Sequence, residues 1–114
     1  MTVVTTIDVK GMTPEEYRRV MDALGVEAEP EPGIYLHVTI QTGFGYRVVE
    51  IWDSEAGFSA FMEGRLGPAA AQAGIEREMT VSIEPLHNLF APRLDELPGL
   101  VAGLAGARPP SAAA

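Results

Sequence analysis

Apolar and polar positions fall into six blocks over the first 85 residues, and each block has the period of one kind of element. Thr2 to Val9 (TVVTTIDV) is rich in β-branched residues, which suits a pleated strand. Lys10-Gly11 ends it. Thr13 then stands where a helix cap is wanted, with Pro14 at the first helical position and Glu15 and Glu16 in the first turn. Tyr17, Val20, Met21 and Leu24 follow at i, i+3, i+4 and i+7, a single apolar stripe closed by Gly25. Beyond an acidic, proline-bearing connection (Val26 to Gly33), Ile34 to Gln41 alternates cleanly. Ile34, Leu36, Val38 and Ile40 point one way; Tyr35, His37, Thr39 and Gln41 point the other. Gly43-Phe44 suits a two-residue type II′ loop, after which Tyr46 to Asp53 reads as a third strand. Ser54 caps a second helix with the stripe Phe58, Phe61, Met62 and Leu66, disturbed near Gly67-Pro68 and resumed over Ala69 to Ala73. Arg77 to Glu84 alternates as a fourth strand ending at Pro85.

The order β-α-β-β-α-β is that of the split βαβ, ferredoxin-like motif, an α+β class with an antiparallel sheet. It predicts one domain over residues 1–91, with 92–114 as a C-terminal extension. Within the extension Leu94, Leu97, Leu100, Val101 and Leu104 recur at near-helical spacing, interrupted by Pro98 and Gly99. Residues 93–104 are therefore expected to pack on the domain or on a partner subunit, and 107–114 to form a frayed tail.

A Gly43-Phe44 loop sets the hairpin register. Gln41 faces Tyr46, Thr39 faces Val48, His37 faces Glu50 and Tyr35 faces Trp52, all on one side of the sheet. Ile34, Leu36, Val38, Ile40, Val49 and Ile51 form the other side, the expected core surface for both helix stripes. The aromatic and titratable side then needs some other cover. His37 opposite Glu50 is the sharpest chemical feature: a carboxylate raises an imidazole pKa and fixes its tautomer, as a general base requires. The same pair is also an ordinary cross-strand salt bridge. Tyr35 and Trp52 suit stacking on a planar ligand, or interface packing. Thr80, Ser82 and Glu84 extend the polar surface, and His87 and Asn88 follow the fourth strand, either at a pocket mouth or in loop hydrogen bonds.

Composition narrows the classes. The chain has 114 residues with 8 Lys+Arg against 16 Asp+Glu, a net charge of -8. That balance repels a phosphate backbone, so no nucleic-acid partner is expected. Apolar runs are far shorter than the roughly 20 residues of a membrane span, and no basic segment leads into an apolar one at the N-terminus. A cytoplasmic location with no membrane partner is the expectation. Cysteine is absent, which excludes disulfides and thiolate chemistry. Two histidines without H-x-x-x-H or H-E-x-x-H spacing predict no metal site. Gly43 and Gly45 sit in a hairpin rather than at a strand-to-helix turn, and Ser54 and Ser82 lack a nucleophile-elbow context.

Val48 to Phe61 (VVEIWDSEAGFSAF) is a strand ending in E-x-W-x-S, then an acidic helix start and a pair of phenylalanines. This resembles the central signature of the antibiotic-biosynthesis-monooxygenase-like group of the dimeric α/β-barrel superfamily. The element order extends the resemblance over residues 2–90. It implies a homodimer whose two sheets face each other and close a barrel. Cofactor-independent members oxidise electron-rich aromatic polyketides held between sheet and helices, which implies no cofactor here. Haem-degrading members use a helical histidine and an asparagine on the first strand, where this sequence has Phe61 and Met62, and Asp8. Two classes of function follow. One is an enzyme acting on a small, planar, hydrophobic, polyketide-like metabolite by oxygenation, cyclisation or isomerisation. In it His37 is the base, Glu50 its orienting partner, and Tyr35, Trp52, Thr39, Tyr46 and His87 meet the substrate. The other is a non-catalytic dimeric barrel that binds a small ligand or serves a structural role.

Overall fold

Strand β1 (Val3–Lys10) occupies the middle of the sheet, and its side chains decide which face becomes the core. The computed structural model describes residues 1–101 of the 114. After β1 come α1 (Pro14–Leu24), β2 (Ile34–Thr42), β3 (Gly45–Trp52), α2 (Glu55–Phe61), a π-helical turn (Met62–Leu66), α3 (Gly67–Ala73) and β4 (Met79–Pro85). The strand order is β2-β3-β1-β4 with every neighbouring pair antiparallel, the ferredoxin-like α+β arrangement. The caps lie where the residue types require them. Thr13 Oγ1 accepts from the Glu16 amide while Glu16 accepts from the Thr13 amide, a complete capping box. Ser54 Oγ accepts from the Gly57 amide at the start of α2.

Every second residue of β1 is buried: Val3, Thr5, Ile7 and Val9. Opposite them in β3 stand Trp52, Glu50, Val48 and Tyr46, also buried, and the helices cover this face. The helix-covered side is therefore the one with His37, Glu50 and Trp52, the reverse of the arrangement expected from the alternation alone. Area explains the choice. Two large aromatic rings and the β-branched row of β1 remove more apolar surface from water than an outer face of valines and isoleucines. Of the polar atoms taken inside, those of His37, Glu50 and Trp52 are paired with one another, while the fully buried Thr5 hydroxyl has no partner among the described residues. Val38 and Ile40 are left exposed on the outer face.

A bulge supplies a second correction. The register of β2 against β3 runs from Thr42↔Gly45 to Leu36↔Ile51 and then slips, so that Ile34, not Tyr35, opposes Trp52. Ile34 thereby turns to the core, and Tyr35 is 68% exposed. The hairpin loop is Gly43-Phe44 as expected, but its positive φ falls at Gly45 (143°) rather than at Gly43, so the turn is not type II′. A Cβ at Gly45 would collide with the Val9 carbonyl and the Gly11 amide at the end of β1. The disturbance near Gly67-Pro68 takes the form of the wide π turn ahead of α3. Pro68 has no amide hydrogen and its ring crowds the preceding turn, which the wider spacing accommodates. Beyond β4, Leu94–Val101 forms a 3₁₀ stretch with no fully buried residue, and Val101 reaches the wall of the cavity between sheet and helices. Residues 102–114, including the expected tail, lie outside the described residues.

Candidate functional site

A cavity of about 1060 Å³ lies between the sheet and the helices. His37, Thr39, Glu50 and Trp52 from the hairpin, and Tyr17 from α1, contribute to its wall. Strand alternation points His37 and Thr39 inward from β2 and Glu50 and Trp52 inward from β3. The apolar stripe of α1 carries Tyr17 over them, since its ring stacks on Tyr46 at 5.2 Å between centroids. Arg65 holds the rim together, bonding Glu31 at 2.5 Å and the Leu24 carbonyl at 2.8 Å.

The polar groups form one connected chain. Trp52 Nε1–H donates to Glu50 Oε1 at 2.9 Å, and His37 Nδ1 lies 2.7 Å from Glu50 Oε2. On its other side His37 Nε2 is 3.0 Å from Tyr17 Oη and 2.9 Å from Thr39 Oγ1, and the Thr39 hydroxyl donates to Tyr17 Oη at 2.9 Å. Glu50 is 4% exposed and Trp52 1%. An ionised carboxylate only accepts, so the donor inventory assigns the proton of the neutral imidazole to Nδ1. Nε2 then keeps its lone pair towards the cavity and accepts from Tyr17 O–H. A nitrogen base oriented by a buried carboxylate behind it is the arrangement that general-base chemistry needs. Burial holds the Tyr17 phenol above its ordinary pKa of 10.0, a push only partly offset by the Thr39 hydrogen bond. Burial also raises Tyr46. Both phenols are therefore neutral donors across the physiological range.

The structure brings His37, Glu50, Thr39, Tyr46 and Trp52 to one cavity, as the register implied, but not all in the expected roles. Trp52 is closed in by Phe58 (5.9 Å, edge-on) and Phe61 (5.4 Å, tilted), so its ring is a core element whose N–H reaches Glu50. Tyr35 stays at the exposed rim. His87 is exposed in the segment after β4 and takes no part in the cavity wall. Asn88 accepts from the Leu89 amide. Tyr17 was missed by sequence reasoning, which counted it among the apolar stripe. Its signal was the hydroxyl: a stripe tyrosine buries a polar tip that must find a partner. No cluster of three or more metal-ligating side chains occurs among the described residues, and none of their helices is long and apolar enough to cross a membrane.

Among solved structures the chain is similar to SnoaB, a cofactor-independent oxygenase from Streptomyces nogalater, at 15% identity and a TM-score of 0.55, covering 78% of this chain and 94% of that one. It is likewise similar to a dimeric ferredoxin-like protein of unknown function from Thermobifida fusca (18% identity, TM-score 0.56, covering 75% and 92%). The fold shared with them is the ferredoxin-like α+β arrangement. A candidate antibiotic biosynthesis monooxygenase from Chloroflexus aurantiacus shares it at 19% identity and a TM-score of 0.52, covering 77% and 97%. No family model matches the chain, and no curated protein does. Identities this low carry the fold and leave the chemistry to the site.

Proposed function

We propose that the protein binds a planar, hydrophobic, polyketide-like phenol or enol in this cavity and oxygenates it with dioxygen, using His37 as base and no metal or dissociable cofactor. The observation that carries the reading is His37 Nε2 in the cavity wall with Nδ1 held 2.7 Å from the buried Glu50. His37 takes the hydroxyl proton, and the imidazolium so formed is stabilised by Glu50. The resulting anion is electron-rich at a ring carbon. Dioxygen adds there, the peroxide takes the proton back from His37, and loss of water leaves a carbonyl. One dioxygen is consumed and one water released per carbonyl formed. Proton removal by the same base would equally serve a ring closure or an isomerisation, and oxygen uptake separates these.

Anthrone, whose enol is a planar tricyclic phenol, is the probe. Wild-type protein is expected to consume oxygen with anthrone and release the quinone. His37→Asn keeps a donor for Glu50 but removes the base, and is expected to lose turnover while melting close to wild type. His37→Ala strips Glu50 of that partner and is expected to melt lower as well. Full oxygen uptake by His37→Asn would show that His37 is not the base. A binding module without catalysis would bind anthrone and consume no oxygen.

The homodimer belongs to the same proposal, though by the face opposite to the one first expected. Val38 and Ile40 stand exposed on the helix-free side beside Leu36 and Val49, an apolar patch that a second copy of the sheet would cover. Light scattering is expected to give about twice the 12.2 kDa chain mass, and Val38→Glu with Ile40→Glu to give the monomer. A wild-type monomer at micromolar concentration would remove the dimer.

A further inference from the structure

Three polar atoms from two elements meet at one spot in the cavity wall. Tyr17 Oη, Thr39 Oγ1 and His37 Nε2 form a nearly equilateral triangle with sides of 3.0, 2.9 and 2.9 Å. Each is a donor once the imidazole is protonated, so an oxygen seated over the triangle lies within hydrogen-bond reach of all three. We infer that Tyr17 and Thr39 form an oxyanion-holding site with His37, specific for the aryloxide or enolate of a planar ligand. The inference rests on the proposed base chemistry and adds to it the residues that hold the product of proton transfer.

Proton bookkeeping supports the geometry. In the empty cavity Thr39 donates to Tyr17 and Tyr17 donates to the lone pair of Nε2. When a ligand hydroxyl gives its proton to Nε2, the O–H bond breaks and an N–H bond forms. Nε2 stops accepting, and the Tyr17 hydroxyl is released to donate to the new oxyanion instead. Donors already aimed at the place where charge develops need little reorganisation. Tyr17 is suited to this because burial keeps its phenol protonated, a donor rather than a competing base. Glu50 and Tyr46 of β3, Arg18 of α1 and Glu27 of the connection after it are the charged or titratable groups that face the phenol and the imidazole. Arg18 is bonded to Asp22 and Glu27, so the site's own positive charge is the imidazolium.

4-Nitrophenol reports its ionisation by absorbance and serves as the probe with the full-length protein. Bound to wild type, it is expected to ionise about one pH unit below the free probe in the same buffer, a tenfold preference for the anion. Tyr17→Phe retains the ring that stacks on Tyr46 and is expected to return the ionisation most of the way to the free value, as is the isosteric Thr39→Val. Should Tyr17→Phe not fold, Thr39→Val alone decides. An unshifted or raised ionisation in wild type, absence of saturable binding, or a shift that survives in the folded variants overturns the inference. Its failure is distinguishable from that of the oxygenase reading: a lowered ionisation without oxygen uptake from anthrone keeps the oxyanion site and removes the oxygenase. Oxygen uptake with an unshifted probe does the reverse.

Discussion

Glu50→Gln is expected to lower turnover by about 10²–10⁴-fold while the melting temperature stays within a few degrees of wild type. The argument is one of donors and acceptors. Glu50 accepts from Trp52 Nε1–H through one oxygen and from His37 Nδ1 through the other. The indole nitrogen is only ever a donor, so a glutamine must turn its carbonyl oxygen to Trp52 and its NH₂ to His37. Nδ1 then has to accept, and the ring proton moves to Nε2. The lone pair that faces the cavity is gone, although both hydrogen bonds survive and no buried charge is stranded. Imidazole nitrogen shifts from ¹⁵N NMR read the tautomer without any substrate. An Nδ1–H tautomer in the variant, or undiminished oxygen uptake from anthrone, would overturn the assignment of Glu50 as the positioning residue.

Trp52→Ala is expected to cost about 3–5 kcal/mol of folding stability, a large share of the roughly 5–15 kcal/mol that a domain has. The ring is 1% exposed, lies against Phe58 and Phe61, and stands opposite Val3 and Ile34 in the sheet. Deleting it opens a cavity where β3, α2 and the first strand meet, and it strips Glu50 of its indole donor. Trp52→Phe separates the two losses, because it keeps most of the ring packing and removes only the N–H. It is expected to fall between wild type and alanine in urea denaturation. An alanine variant with an unchanged urea midpoint would show that Trp52 lies at an accessible surface, as a ligand-stacking role would require.

Much of this protein is legible in its linear pattern because the relevant signals are local. Thr13-Pro14-x-Glu16 states a helix start through bonds that span three residues, and the structure contains that box. The two-residue loop Gly43-Phe44 sets the pairing of both flanking strands, and with it the meeting of His37 and Glu50. Pro68 announces an interruption because the missing amide hydrogen is a property of the residue itself.

What the tertiary structure alone decided is which side of the hairpin faces inward. Alternation groups residues by face, but both faces here are apolar enough to be a core, and strand period carries no sign. The choice came from β1, whose buried row Val3, Thr5, Ile7 and Val9 pairs with Trp52, Glu50, Val48 and Tyr46. That choice turned the titratable pair from an exposed surface into a cavity wall. The bulge at Tyr35 was equally hidden, since a one-residue slip is settled by how Ile34 packs and leaves no mark in the alternation. Tyr17 joined the site only when α1 settled across the sheet, because the contact spans 20 residues and depends on the helix's rotation over the strands. Local chemistry writes caps, turns and register into the chain, whereas the burial of a face is a comparison of areas between elements far apart in it.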